Sequence, residues 1–322
     1  MNLMINNYCN LKCSYCFAQE EMHSKKAMNI TMDNFCLCLD WLKKQNYRQV
    51  RLIGGEPTLH PELDKLIDKV IEYNCFDDIM IFSNFTFKPE VTEMFIEKMK
   101  KIKIHFLPNI NHSDVIFPLF RERIFYNLDI LTAIDENLRY IGVNIYTPDQ
   151  DMSFWEDIIC KYNIRCLRWS ITVPNMALKE DFDFYDYFHS YQGIIDTMAD
   201  WVVKYGLALN CDCNGLPICC FDEDKVVKWL KISQELFGPA HCDEAVVDVS
   251  PDLMARGCFG CNPAETKYLL DFETHKELLQ YFEEGRQNKK KLLARKECLA
   301  CERYQVQHNS CSCYAYRKGE IS

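Results

Sequence analysis

Cys9-Asn10-Leu11-Lys12-Cys13-Ser14-Tyr15-Cys16 puts three cysteines in eight residues, spaced C-x3-C-x2-C. A structural zinc site normally takes four protein ligands, so these three leave it one short. The same thiols can hold three irons of a [4Fe–4S] cluster and leave the fourth iron open to an exogenous ligand. Small zinc knuckles use similar spacings, so the octapeptide alone leaves a zinc or purely structural role open.

A second motif stands at Gly54-Gly55-Glu56-Pro57. It closes the apolar run Val50-Arg51-Leu52-Ile53, which reads as a buried strand. Glycines there let the backbone approach a ligand closely, and proline fixes the exit. A plain turn at the end of a strand would have the same composition.

Together, in this order, the two motifs resemble those of radical S-adenosylmethionine (SAM) enzymes. In that family the amine and carboxylate of SAM chelate the open iron. One electron then splits SAM into methionine and a 5′-deoxyadenosyl radical. The resemblance implies cluster ligation by Cys9, Cys13 and Cys16, with Tyr15 as the aromatic residue usual before the third cysteine. It also implies that Gly54, Gly55, Glu56 and Pro57 lie against the methionine part of SAM, the glutamate and backbone carbonyls accepting from its ammonium.

Composition is compatible with this. The 322 residues suit one large domain plus a small one, and 48% hydrophobic content is ample for a core. A net charge of −10 disfavours a general nucleic-acid or anionic-membrane surface. No apolar run is long enough to span a membrane, and Met1–Asn7 is too short and uncharged for a signal peptide. A cytoplasmic protein is expected, where nineteen cysteines point to metal or redox chemistry rather than to disulfides.

Along the chain, apolar runs and helical periodicities alternate. Strands are expected at Leu3–Asn7, Val50–Ile53, Asp78–Ser83, Ile102–Leu107, Arg139–Tyr146 and Ile164–Thr172, with helices between them. Alternating β and α units make an α/β fold with a parallel sheet, and the resemblance implies a partial (β/α)6 TIM-like barrel with its site at the C-terminal strand ends. Polar residues there include Ser83, Asn109, Asn144 and Arg168, at positions similar to those that contact SAM in the family. Phe85 follows Asn84 where many relatives have glycine, so a different turn is expected. The acidic, aromatic stretch from Asp181 is expected to open one long helix reaching Tyr205, and Lys225–Phe237 to form another.

A domain boundary is expected near Gly215-Leu216-Pro217, giving a barrel over 1–215 and a small cysteine-rich α+β domain over 216–322. The latter holds Cys242, Cys258, Cys261, Cys298, Cys301, Cys311 and Cys313, with a hairpin from Ala245–Val249 to Met254–Cys258. It resembles the SPASM or twitch domains that carry auxiliary iron–sulfur clusters, and at least one such cluster is expected. Leu253 stands where that pattern usually has the hairpin glycine. Four thiolates from Cys258-x2-Cys261 and Cys298-x2-Cys301 would also make a zinc ribbon.

The expected activity is hydrogen abstraction from a substrate, in modification of a ribosomally made peptide. A dehydrogenase or epimerase acting on a small molecule such as a sugar or aminocyclitol is the alternative, and a non-catalytic iron–sulfur or zinc module the third reading. Cys219 and Cys220 are candidate hydrogen donors to a substrate radical. The expected partners are a flavodoxin- or ferredoxin-type reductant and a separate leader-peptide-binding protein, since little chain precedes the first strand.

Overall fold

The computed structural model describes residues 1–16, 18, 26–135, 138–172, 184–211, 216–237, 246–257, 266–293 and 300–302. The chain divides into two compact units, Met1–Leu138 with Ala245–Glu284 and Arg139–Glu244 with Gly285–Ser322. Both are α/β and built on parallel strands.

In the first unit, β1 (Asn2–Met4), β2 (Gln49–Ile53), β3 (Asp78–Ser83) and β4 (Lys103–Pro108) lie side by side in parallel. Val50, Leu52, Ile79 and Ile81 are fully buried, and their neighbours along each strand are more exposed. The connecting helices are α1 (Met32–Lys44), α2 (Leu63–Tyr73), α3 (Pro89–Met99) and α4 (Pro118–Ile134). Thr31 caps α1 by accepting from Asn34 N at 3.2 Å, satisfying an otherwise orphaned amide. α2 buries the Leu63, Leu66, Ile67, Val70 stripe legible from its periodicity.

The expected hairpin forms from β8 (Asp248–Val249) and β9 (Met254–Arg256), antiparallel. It is not set apart from the first sheet. β8 runs parallel to β1, pairing Leu3 with Val249, and β10 (Lys267–Tyr268) adds an antiparallel edge, giving the order β10-β9-β8-β1-β2-β3-β4. Helix α9 (His275–Leu293) follows, and Trp41 on α1 donates to Phe272 O just before it, at 3.1 Å.

The second unit holds β5 (Tyr140–Ile145), β6 (Cys166–Ile171) and β7 (Ala208–Cys211), all parallel. One face, with Ile141, Val143, Ile145, Leu167, Trp169, Ile171 and Leu209, is buried. Helix α5 (Ser153–Tyr162) joins β5 to β6. The single long helix expected toward Tyr205 is two, α6 (Phe184–His189) and α7 (Gln192–Tyr205), broken where Ser190 Oγ turns back to Tyr187 O. The helix expected over Lys225–Phe237 stops as α8 (Glu223–Ile232), because Ser233 takes an extended backbone and caps a following 3₁₀ turn. No helix among the described residues is long and apolar enough to cross a membrane.

Leu253 closes the hairpin turn through its amide to Ser250 O at 2.9 Å, and its φ of 66° is the left-handed conformation that glycine normally supplies. Its side chain is buried to 1% exposure. Replacing it with glycine relieves about 1–2 kcal/mol of left-handed strain but forfeits a buried leucine worth about 2–5 kcal/mol. Leu253→Gly is therefore expected to lower unfolding free energy in urea by about 1–3 kcal/mol; a gain would show that strain dominates.

Candidate iron–sulfur and cofactor site

Pairing between β1 and β2 continues beyond the strand ends. Ile5 N donates to Ile53 O at 2.8 Å, Gly55 N to Asn6 O at 3.0 Å and Glu56 N to Tyr8 O at 2.9 Å. The start of the cysteine loop thus lies directly on Gly54-Gly55. A Cβ on Gly55 would sit 2.1 Å from Tyr8 O, and one on Gly54 2.1 Å from Asn6 Oδ1, so neither position can carry a side chain without displacing the loop. Asn7 holds the returning chain by accepting from Met28 N at 2.7 Å and donating to Lys26 O at 3.1 Å.

All three thiols of the loop are partly exposed. Burial pushes Cys9 up to about 12, with Glu56 and the other two cysteines adding to the rise. Burial likewise raises Cys16 to about 11, and Cys13 is shifted upward. Metal ligation must displace the protons of these thiols. No three His, Cys, Asp or Glu side chains among the described residues converge on a single metal ion. A four-iron cluster makes no such demand, because each thiolate binds a different iron.

Glu56 is 1% exposed and engaged from within the protein. Oε1 accepts from Thr58 N, Thr58 Oγ1 and Ser83 Oγ at 3.2, 2.6 and 2.8 Å, and Oε2 from Asn84 N at 2.8 Å. Burial shifts its pKa upward against these donors. The carboxylate ties the end of β2 to the end of β3, and Ser83 serves that tie. Pro57 opens the 3₁₀ turn that Glu56 caps.

In the turn after β3, Phe85 takes a left-handed backbone, with φ 62°. Phe85 is wholly buried, its ring 5.3 Å from that of Phe87 and 5.6 Å from that of Phe106. Such burial and aromatic contact outweigh a strain of about 1–3 kcal/mol. Asn127, fully buried on α4, donates to Phe85 O at 2.8 Å and Phe87 O at 3.0 Å.

At the end of β4, Asn109 N donates to Ser83 O at 2.8 Å. Asn111 makes the link to the loop: its Oδ1 accepts from Tyr15 OH at 2.5 Å and lies 3.5 Å from Cys13 Sγ. The structure thus gathers Cys9, Cys13, Tyr15, Gly54–Pro57 and Ser83 within the first unit. Asn144 and Arg168 stand on the sheet of the second, where Ser170 Oγ donates to Asn144 Oδ1 at 3.0 Å. Cys219 is exposed and Cys220 buried, both in a 3₁₀ turn of that unit. Cys301 is partly exposed, whereas Cys242, Cys258, Cys261, Cys298, Cys311 and Cys313 lie outside the described residues. Asn111 and Asn127 were not among the site residues expected from sequence. For Asn127 the available signal was a polar residue on the apolar stripe of Ile124, Leu128 and Leu131.

These residues fit the cofactors that the sequence implies. Three thiols share a short loop held by backbone bonds, and Leu11 N already points at Cys9 Sγ from 3.4 Å. Asn6 Oδ1, buried against Gly54, has no donor among the described residues, a deficit that an ammonium group at this point would meet.

Residues 3–150 match the model of the Radical SAM superfamily. Residues 3–150 therefore carry a radical SAM domain. The domain's cofactors are a [4Fe–4S] cluster and SAM. The GTP 3′,8-cyclase of Campylobacter lari is 24% identical over 147 residues, 45% of this chain and 44% of that protein. That of Staphylococcus aureus is 25% identical over 151 residues, 45% and 43% of the two chains. The match spans less than half the length of these curated relatives. Among solved structures, Streptococcus suis SuiB bound to S-adenosylmethionine aligns with a TM-score of 0.60 at 14% identity, over 93% of this chain and 69% of SuiB. SuiB bound to its precursor peptide SuiA aligns at 0.59 and 15% identity, over 93% and 68%. These likenesses establish a shared fold.

Gly55→Ala tests the seating of the radical SAM loop. The added methyl must push the Tyr8–Cys9 peptide away, and we expect less iron per chain after anaerobic reconstitution, with far-UV circular dichroism retained. Full iron loading would contradict the seating.

Proposed function

We propose that this chain modifies a ribosomally made peptide by radical SAM chemistry. The observation that carries the radical chemistry is the loop of Cys9, Cys13 and Cys16 laid on Gly54-Gly55, with Asn6 Oδ1 in want of a donor. When bound, the cluster and SAM supply a 5′-deoxyadenosyl radical that takes a hydrogen atom from the substrate. Cys9, Cys13 and Cys16 hold the cluster, Tyr15 braces the loop through Asn111, and Gly54–Pro57 receive the methionine end of SAM. Glu56 and Ser83 act by fixing the two strand ends relative to each other. Asn109, at the end of β4, adds a further SAM contact. The auxiliary-cluster domain spans 216–322, with ligands drawn from Cys242, Cys258, Cys261, Cys298, Cys301, Cys311 and Cys313.

The peptide substrate is supported by the fold shared with SuiB, which was solved with a precursor peptide. A flavodoxin or ferredoxin would supply the electron, and a separate protein would present the leader, all in the cytoplasm. Of the two candidate hydrogen donors, Cys219 has solvent access and Cys220 is 4% exposed, so Cys219 is the one suited to the role.

A small-molecule reading has its own support, because the curated relatives matched over the N-terminal half are GTP 3′,8-cyclases. Turnover separates the two. Reconstituted protein with dithionite and SAM should form 5′-deoxyadenosine, faster with a short peptide encoded beside its gene than with GTP. Substituting Cys9, Cys13 and Cys16 together by alanine should reduce 5′-deoxyadenosine to background. Undiminished cleavage in the triple variant would sink the assignment, and stimulation by GTP alone would move the substrate to the small-molecule class.

A further inference from the structure

We infer that Asn84 is a positioning residue that donates its side-chain N–H to the Cys9 sulfur and thereby raises the reduction potential of the cluster held there. The inference rests on the reading of Cys9 as a cluster ligand. Its own basis is the orientation of one carboxamide.

Asn84 Oδ1 accepts from Thr86 N at 3.0 Å and Thr86 Oγ1 at 2.6 Å. A backbone N–H can only donate, so the oxygen end of the amide must face Thr86. The NH₂ end is therefore turned to the cysteine loop. It donates to Asn10 Oδ1 at 3.0 Å and stands 3.8 Å from Cys9 Sγ. Asn10 completes a ring by donating from Nδ2 to Thr86 Oγ1 at 2.7 Å. The Asn84 amide has two hydrogens, and these two acceptors account for both.

The backbone beneath this amide is held on both sides. Asn84 N donates to Glu56 Oε2, and Phe85 N to Ser83 Oγ at 3.0 Å. One residue on, Phe85 is in its left-handed turn with its carbonyl bound by Asn127. A strained turn fixed by a buried aromatic ring and a buried amide leaves Asn84 little freedom to swing away. Asn84 itself is 7% exposed, so water does not compete strongly for its N–H.

The physical consequence follows from charge. Adding an electron makes a thiolate-ligated cluster more negative, and an N–H aimed at a ligand sulfur stabilises that reduced form more than the oxidised one. Together with Leu11 N at 3.4 Å, Asn84 gives Cys9 a second N–H donor, this one from a side chain distant in sequence.

The test uses the full-length, anaerobically reconstituted chain. Protein labelled with side-chain ¹⁵N asparagine is reduced and examined by pulsed electron paramagnetic resonance for ¹⁵N coupling to the cluster. The midpoint potential is measured in parallel for wild type, Asn84→Ala and Asn84→Asp. We expect a ¹⁵N coupling in wild type that both variants lose. The potential should fall in Asn84→Ala and fall further in Asn84→Asp, where an anion replaces the donor, at unchanged iron content. A wild-type cluster without the coupling, or variants with normal iron and unaltered potential, would overturn the role. If the variants fail to hold iron, the wild-type coupling decides alone. A wild-type chain with no reduced-cluster signal at all would instead refute Cys9 as a cluster ligand, and the donor role with it.

Discussion

The structure depends on how closely two parallel strand exits approach. Gly55 lies so near the Tyr8–Cys9 peptide that a single methyl group would overlap it. That approach lets the β1–β2 ladder run on into the loop, so the first cysteine is placed by backbone hydrogen bonds rather than by side-chain packing. Backbone hydrogen bonds that hold a metal-binding loop in place lower the entropy lost on ligation.

Around this contact the chain spends its buried polar groups on fixing strand ends. Glu56 links β2 to β3, Asn127 holds the turn after β3, and Asn111 braces Tyr15 from the end of β4. Each of these groups would be costly to bury unpartnered, so each enforces one arrangement. The left-handed Phe85 belongs to the same design. Local strain there is offset by the aromatic cluster of Phe85, Phe87, Phe95 and Phe106 beneath the turn.

The elements legible in the sequence were those with strong local signals. Helix 32–44 and strand 78–83 form with the bounds expected from their caps and periodicity. Strand β7 was missed because Ala208–Cys211 is four residues long and becomes a strand only by pairing with β6. The break at Ser190 was hidden because the amphipathic pattern runs through it. In the site, the cysteines and glycines were readable because their chemistry is tied to residue type at short spacing. Asn111 meets Cys13 across 98 positions and Asn127 meets Phe85 across 42, and no local pattern reports such pairs. The left-handed turn at Phe85 is hidden from the sequence for a related reason, since what holds a bulky residue there is the distant ring of Phe106.

The central claim is that the loop seated on Gly54-Gly55 holds a four-iron cluster with one iron open to SAM. Electron paramagnetic resonance of the dithionite-reduced, reconstituted chain tests it most directly, recorded before and after SAM is added. A [4Fe–4S]⁺ signal whose g-values shift on adding SAM is the predicted result. A spectrum unchanged by saturating SAM would contradict it.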